Sequence, residues 1–68
     1  MEKISKVKGY RNFLGFSQER MGQQLGISKQ AYNLKENGKT PFSDREKIIF
    51  KNLLQEVFPE ITIDEIFF

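Results

Sequence analysis

Between Ser28 and Asn37 the chain carries Lys29, Gln30, Asn33, Leu34 and Asn37, side chains of the kinds that read a hydrogen-bonding edge. On a helix turning about 100° per residue these five fall within an arc of roughly 140°, leaving Ala31, Tyr32, Lys35 and Glu36 on the other side. Glutamine can bond N6 and N7 of adenine together, lysine donates to O6 and N7 of guanine, and leucine touches the thymine methyl. Gln30 and Leu34 stand one turn apart and could read neighbouring bases. An ordinary solvated helix also presents a polar face, and an exposed leucine alone needs no explanation. The residues on either side favour the first reading.

A helix that presents such a face has to be held at a defined angle. Ser17 is an N-cap type residue, and Gln18, Glu19 and Arg20 behind it are good helix formers. Met21 and Leu25, four apart, share a face that can enter a core. Gly26 supplies the left-handed conformation that ends a helix, Ile27 plugs the turn, and Ser28 caps a second helix running to about Asn37, where Gly38 stops it. Residues 18–37 therefore predict a helix-turn-helix, a known way of presenting one helix to the major groove. Ile4, Val7, Arg11 and Leu14 predict an amphipathic helix over residues 4–14, ended by Gly15. Lys3, Lys6 and Lys8 near its start could approach a phosphate backbone, although solvated lysines are the simpler reading of each. Ser43 or Asp44 can cap a fourth helix to about Val57, with Ile48, Ile49, Leu53, Leu54 and Val57 as its apolar face and Pro59 closing it. Thr62 with Glu65 is a capping box and predicts a last short helix over residues 63–67.

Arg11, Leu14-Gly15, Ser17-Gln18, Met21, Leu25-Gly26, Ser28, Gln30 and the run Glu36-Asn37-Gly38-Lys39-Thr40-Pro41 stand at the spacings of a known family. Over residues 4–66 the chain resembles the repressor and Cro helix-turn-helix family of temperate phages, the small lambdoid repressors in particular. The resemblance implies an all-α, compact five-helix bundle of the lambda-repressor-like DNA-binding type, with residues 1–68 as its single domain. It implies that Lys29, Gln30 and Leu34 reach bases, and Asn33, on the same face, joins them as a candidate. It implies that Gln18, Asn37 and Lys39 hold phosphates; Ser28 and Thr40, at the two ends of the same helix, complete that set. It also implies an internal salt bridge between Arg11 and Glu36. Two residues depart from the family pattern. Lys35 stands where a bulky apolar residue usually faces the core, so it must pair or run past Tyr32 to water. Gly22 stands where alanine is usual, at a cost of about 1 kcal/mol inside a helix.

Composition narrows the function classes. Sixty-eight residues make one domain, and a chain of this size buries only about 60% of its unfolded surface. Without cysteine or histidine there is no disulfide, thiolate site, zinc finger or histidine-based triad. Neither metal nor cofactor is expected, nor a small-molecule substrate, and the acidic residues form no catalytic constellation. The expectation is a protein that is not an enzyme. Seven phenylalanines and two tyrosines are expected to supply much of the core. With no apolar run of membrane-spanning length and no signal-like start, a soluble protein of the bacterial cytoplasm is expected. Residues 1–51 hold all eleven lysines and arginines against five acids, net +6, whereas residues 52–68 hold four acids and no base. That segregation fits a basic face for phosphates, with chance clustering as the alternative. The ending Ile66-Phe67-Phe68 invites burial, either on the domain's own core or as a protein interface.

The expected function is sequence-specific binding of an operator in duplex DNA, as a homodimer, with residues 28–37 in the major groove. The alternative is an interaction module of the same fold that binds and modulates a phage repressor protein. An antitoxin is a third candidate, for which no toxin-binding tail is visible.

Overall fold

Short-range capping chemistry sets where the helices begin. The computed structural model describes residues 6–68, so Lys3 and Ile4 lie outside the described residues. Among these, five helices follow one another without any strand: α1 (Lys6–Phe13), α2 (Gln18–Leu25), α3 (Lys29–Glu36), α4 (Asp44–Gln55) and α5 (Ile63–Phe67). The Ser17 hydroxyl accepts the Arg20 N–H at 3.1 Å, and the Ser28 hydroxyl accepts the Ala31 N–H at 3.1 Å. Ser43, not Asp44, caps α4; its hydroxyl accepts the Glu46 N–H at 3.2 Å while the Glu46 carboxylate accepts the Ser43 N–H at 2.8 Å. Thr62 and Glu65 form the second reciprocal box, on α5. Each cap satisfies an amide that the first turn of a helix leaves without a partner.

The turn between α2 and α3 depends on two glycines. Gly26 adopts φ 76°, ψ 29°, the left-handed conformation that a side chain would oppose. Gly22 lets the turn fold back against α2: a Cβ there would lie 2.9 Å from the Ile27 carbonyl oxygen and 3.2 Å from that of Ser28. The Ile27 N–H donates to the Gly22 carbonyl at 2.9 Å across the same contact. Arg45, from α4, donates to the Leu25 carbonyl at 3.3 Å and so holds the far end of α2.

Met21, Leu25, Tyr32, Phe50, Leu54, Ile61 and Ile66 are buried together. Phe42 sits beside this group, edge-on to Tyr32, Phe50 and Phe67 at centroid distances of 6.0, 6.5 and 5.1 Å. The dimensions, 30 × 29 × 22 Å with a radius of gyration of 11.1 Å, match the roughly 11 Å of a compact chain this long.

Several expectations need correction. The aromatic core is smaller than composition suggested: Phe50 and Tyr32 are fully buried, Phe16, Phe42, Phe67 and Tyr10 are partly so, and Phe13, Phe58 and Phe68 are exposed. On α4 the inward stripe is Glu46, Phe50 and Leu54, spaced by four; Ile48 falls on the far side and is exposed, as is Val57 beyond the helix end. The regular helix ends at Gln55, with the Leu54 carbonyl still accepting the Val57 and Phe58 N–H groups at 2.9 and 2.7 Å, and Pro59, which has no N–H, cannot carry the ladder further. Ile66 is 1% exposed and belongs to the core, so it is not an interface residue. Phe67 is half-buried against Phe42 and Phe50. Only Phe68 of that trio faces solvent, with the Lys47 ammonium 5.0 Å from its ring centroid. Among the described residues no helix is long and apolar enough to cross a membrane.

Candidate nucleic-acid interface

Helix α3 packs its Tyr32 and Glu36 side inward, which turns Lys29, Gln30 and Leu34 outward. Their spacing dictates this outcome, since residues four apart share a helix face. Gln18, at the start of α2, lies alongside, and together with Lys29, Gln30, Asn33 and Leu34 it lines an open groove of about 410 Å³. The structure thus brings together all four residues expected to reach bases, with one of the expected phosphate ligands. Ser28 is exposed at the N-terminal end of α3, its hydroxyl already engaged as the cap. Asn37, Lys39 and Thr40 are exposed at the other end, where the Lys39 N–H donates to the Leu34 carbonyl at 2.8 Å.

Behind this face the Arg11–Glu36 pair joins α1 to α3. Arg11 Nε donates to Glu36 Oε2 at 2.7 Å and Nη2 donates to Oε1 at 3.2 Å. The pair is buried, with side-chain exposures of 9% and 2%. A third donor nitrogen, Nη1, reaches the Phe16 carbonyl at 2.7 Å and pins the loop leading to α2. Burial pushes the Glu36 carboxyl up, but the hydrogen bonds from Arg11, with Tyr32 and Gln18, overcome it and hold the group below its usual range. The Tyr32 hydroxyl is buried beside the pair. Burial first, then the Glu36 carboxylate, raise its pKa far above the usual phenol value.

Lys35 resolves by pairing. Its ammonium donates to Glu46 Oε1 at 2.5 Å, so the capping carboxylate of α4 also anchors the inner edge of α3. Burial raises the Glu46 carboxyl and the Lys35 and Ser43 hydrogen bonds lower it, with a net shift downward. The sequence marks Lys35 as a residue that must pair or reach water; it does not single out Glu46 as the partner.

No family model, curated protein or solved structure matches this chain. Its chemistry has to be read from the geometry alone. The groove offers amide, ammonium and methyl groups on one convex helix, an arrangement for reading an extended polar edge. Sequence reasoning missed a second exposed group. Phe13 and Phe58 pack with centroids 5.0 Å apart and rings tilted by 40°, Tyr10 meets Phe58 edge-on, and Val57 stands exposed in the same loop as Phe58. Phe13 is 59% exposed. Only the α1 periodicity hinted at it, because Phe13 lies off the stripe of Val7, Arg11 and Leu14.

Proposed function

We propose that this protein is a sequence-specific duplex-DNA-binding transcriptional regulator of the phage repressor/Cro helix-turn-helix type, acting in the bacterial cytoplasm. The observation that carries the reading is α3 itself: a serine-capped helix behind a tight glycine turn, with Lys29, Gln30 and Leu34 exposed on one open face. Eight residues make a rod of about 12 Å, and the major groove, about 12 Å wide, admits a helix side-on. Gln18 and Ser28 at one end, and Asn37, Lys39 and Thr40 at the other, bracket that rod where the two phosphate walls would run. The Arg11–Glu36 and Lys35–Glu46 pairs fix the angle at which α3 leaves the body. Two copies on an operator would space their α3 helices by about 34–36 Å, one turn of duplex. Occupying that operator blocks polymerase.

The test is base reading by Gln30. On a duplex obtained by selection from random sequence, Gln30→Ala costs about 1–3 kcal/mol of binding, and on random duplex almost nothing. Equal loss on both would remove Gln30 from the reading set.

A second reading is favoured by the exposed Phe13, Val57 and Phe58 group. In that reading the domain binds another regulator, a phage repressor protein, through those rings. The same group, with Phe68, replaces Ile66 and Phe67 as the candidate protein-contact surface.

A further inference from the structure

Three side-chain amides hang in series from the Glu36 carboxylate. Gln18 Nε2 donates to Glu36 Oε1 at 3.1 Å, Asn33 Nδ2 donates to Gln18 Oε1 at 3.2 Å, and Asn37 Nδ2 donates to Asn33 Oδ1 at 3.2 Å. An amide taken alone can sit either way round, but an ionised carboxylate only accepts. Glu36 therefore forces Gln18 to turn its NH₂ inward and its carbonyl toward Asn33. That carbonyl in turn forces Asn33 to offer its NH₂ to Gln18 and its carbonyl to Asn37. The sense of all three amides is set at the buried end and passed outward along the groove wall. Gln18 and Asn33 are half-buried and Asn37 is exposed, so the chain runs from the core to the surface.

Two consequences follow. With one donor hydrogen committed to Gln18 and one carbonyl lone pair to Asn37, the plane of the Asn33 amide is set by these neighbours and not by a base. Conversely, each of those neighbours keeps one amide hydrogen uncommitted, a donor suited to a phosphate oxygen. Holding both side chains in one rotamer before binding removes the ordering cost that free amides would incur on DNA.

We propose that Asn33 is a positioning residue, not a base reader: it couples Gln18 to Asn37 and presets both as phosphate donors on either side of the base-reading face. The proposal rests on the DNA-binding reading above and assigns a different job to one residue of its face. The arrangement suits a short amide at this position, since it can both donate to Gln18 and accept from Asn37.

Two measurements on the intact protein test it. In the free protein, nitrogen relaxation of the side-chain amides should show Gln18 ordered nearly as well as the backbone, with an order parameter of about 0.8, falling below about 0.6 in Asn33→Ala. On DNA, Asn33→Ala should weaken binding about 3- to 10-fold, the worth of one or two ordered hydrogen bonds, and by the same factor on selected and random duplexes. In a Gln18→Ala, Asn37→Ala background the same substitution should change affinity less than about 2-fold, since the residues it positions are gone. The proposal is overturned if Asn33→Ala loses affinity only on the selected duplex and alters preference at one base pair. It is equally overturned if the Gln18 amide is as mobile in the wild type as in the variant. A wild-type protein that prefers no duplex at all overturns the DNA-binding reading itself and takes the proposal with it, an outcome distinct from the other two.

Discussion

Replacing Glu36 by glutamine keeps the side chain's shape and removes its charge, which isolates what the buried pair contributes. The carboxylate accepts from Arg11 Nε at 2.7 Å, from Arg11 Nη2 at 3.2 Å and from Gln18 Nε2 at 3.1 Å. A glutamine carbonyl can stand in for one of the two oxygens, and its NH₂ then faces a donor at the other. Breaking a buried pair from one side costs about 3–5 kcal/mol. Arg11 keeps its bond to the Phe16 carbonyl, which places the expected loss near the lower end, about 3 kcal/mol. Total stability for a domain this small is roughly 3–10 kcal/mol, so the variant should be marginal. Urea unfolding followed by helix circular dichroism reads this as a midpoint about 3 M lower, for a slope of about 1 kcal/mol per molar. A loss of about 1 kcal/mol or less, the range of an exposed pair, refutes the reasoning. Replacing both Arg11 and Glu36 by methionine should cost less than Glu36→Gln alone, because no charge is stranded. The pH dependence follows in sign. Burial raises the Glu36 carboxyl, the Arg11 hydrogen bonds more than compensate, and the folded value ends below the unfolded one. Ionised Glu36 therefore stabilises the fold above the unfolded value of about 4.3, and that contribution is lost as pH falls through the lower folded value. Glu36→Gln should lack this part of the acid transition and keep the part due to Glu46, which shifts the same way.

Two further substitutions test how α3 is seated. Gly22→Ala gains about 1 kcal/mol of helix propensity, but its Cβ meets the Ile27 carbonyl at 2.9 Å, a backbone contact that cannot rotate away. Overpacking of this kind costs about 1–3 kcal/mol, so the melting temperature should fall, and a rise would show that the turn yields freely. Lys35→Met leaves the buried Glu46 carboxylate with the Ser43 N–H and hydroxyl as its remaining partners. It should cost about 1.5–3 kcal/mol, as for a hydrogen bond to a charged group, and adding Glu46→Gln should recover part of that; a single variant as stable as wild type would mean the pair contributes nothing.

How much of this was legible in the sequence divides by range. Ser17, Ser28 and Thr62 act on amides three residues ahead, so local pattern placed all three helix starts, and Gly26 placed the turn. The periodicity of Met21 and Leu25 put both in the core. Partners across loops were another matter. The chain announces that Lys35 must pair or reach water, but not that its partner, eleven residues on, doubles as the cap of α4. The exposure of Phe13, Phe58 and Ile48 depends on how α1 and α4 cross their neighbours, which composition cannot supply. The amide series from Gln18 through Asn33 to Asn37 needs two helices side by side, so Asn33 looked like a base reader from its face alone.

The most direct test of the central claim is the salt dependence of DNA binding. Each phosphate neutralised by a lysine releases counterions; Lys29 and Lys39 belong to the proposed face, and Lys6, at the start of α1, is a third candidate. Binding to duplex from beside the protein's own gene, titrated between 50 and 200 mM salt, should give a log–log slope of roughly −2 to −3 per subunit, doubled for a dimer. That duplex should also win over random competitor by roughly a thousandfold or more at physiological salt. The account predicts both together. Weak, sequence-indifferent binding, with a stable complex to a co-encoded repressor that Phe13 or Phe58 substitution abolishes, would contradict it and leave the interaction-module reading in its place.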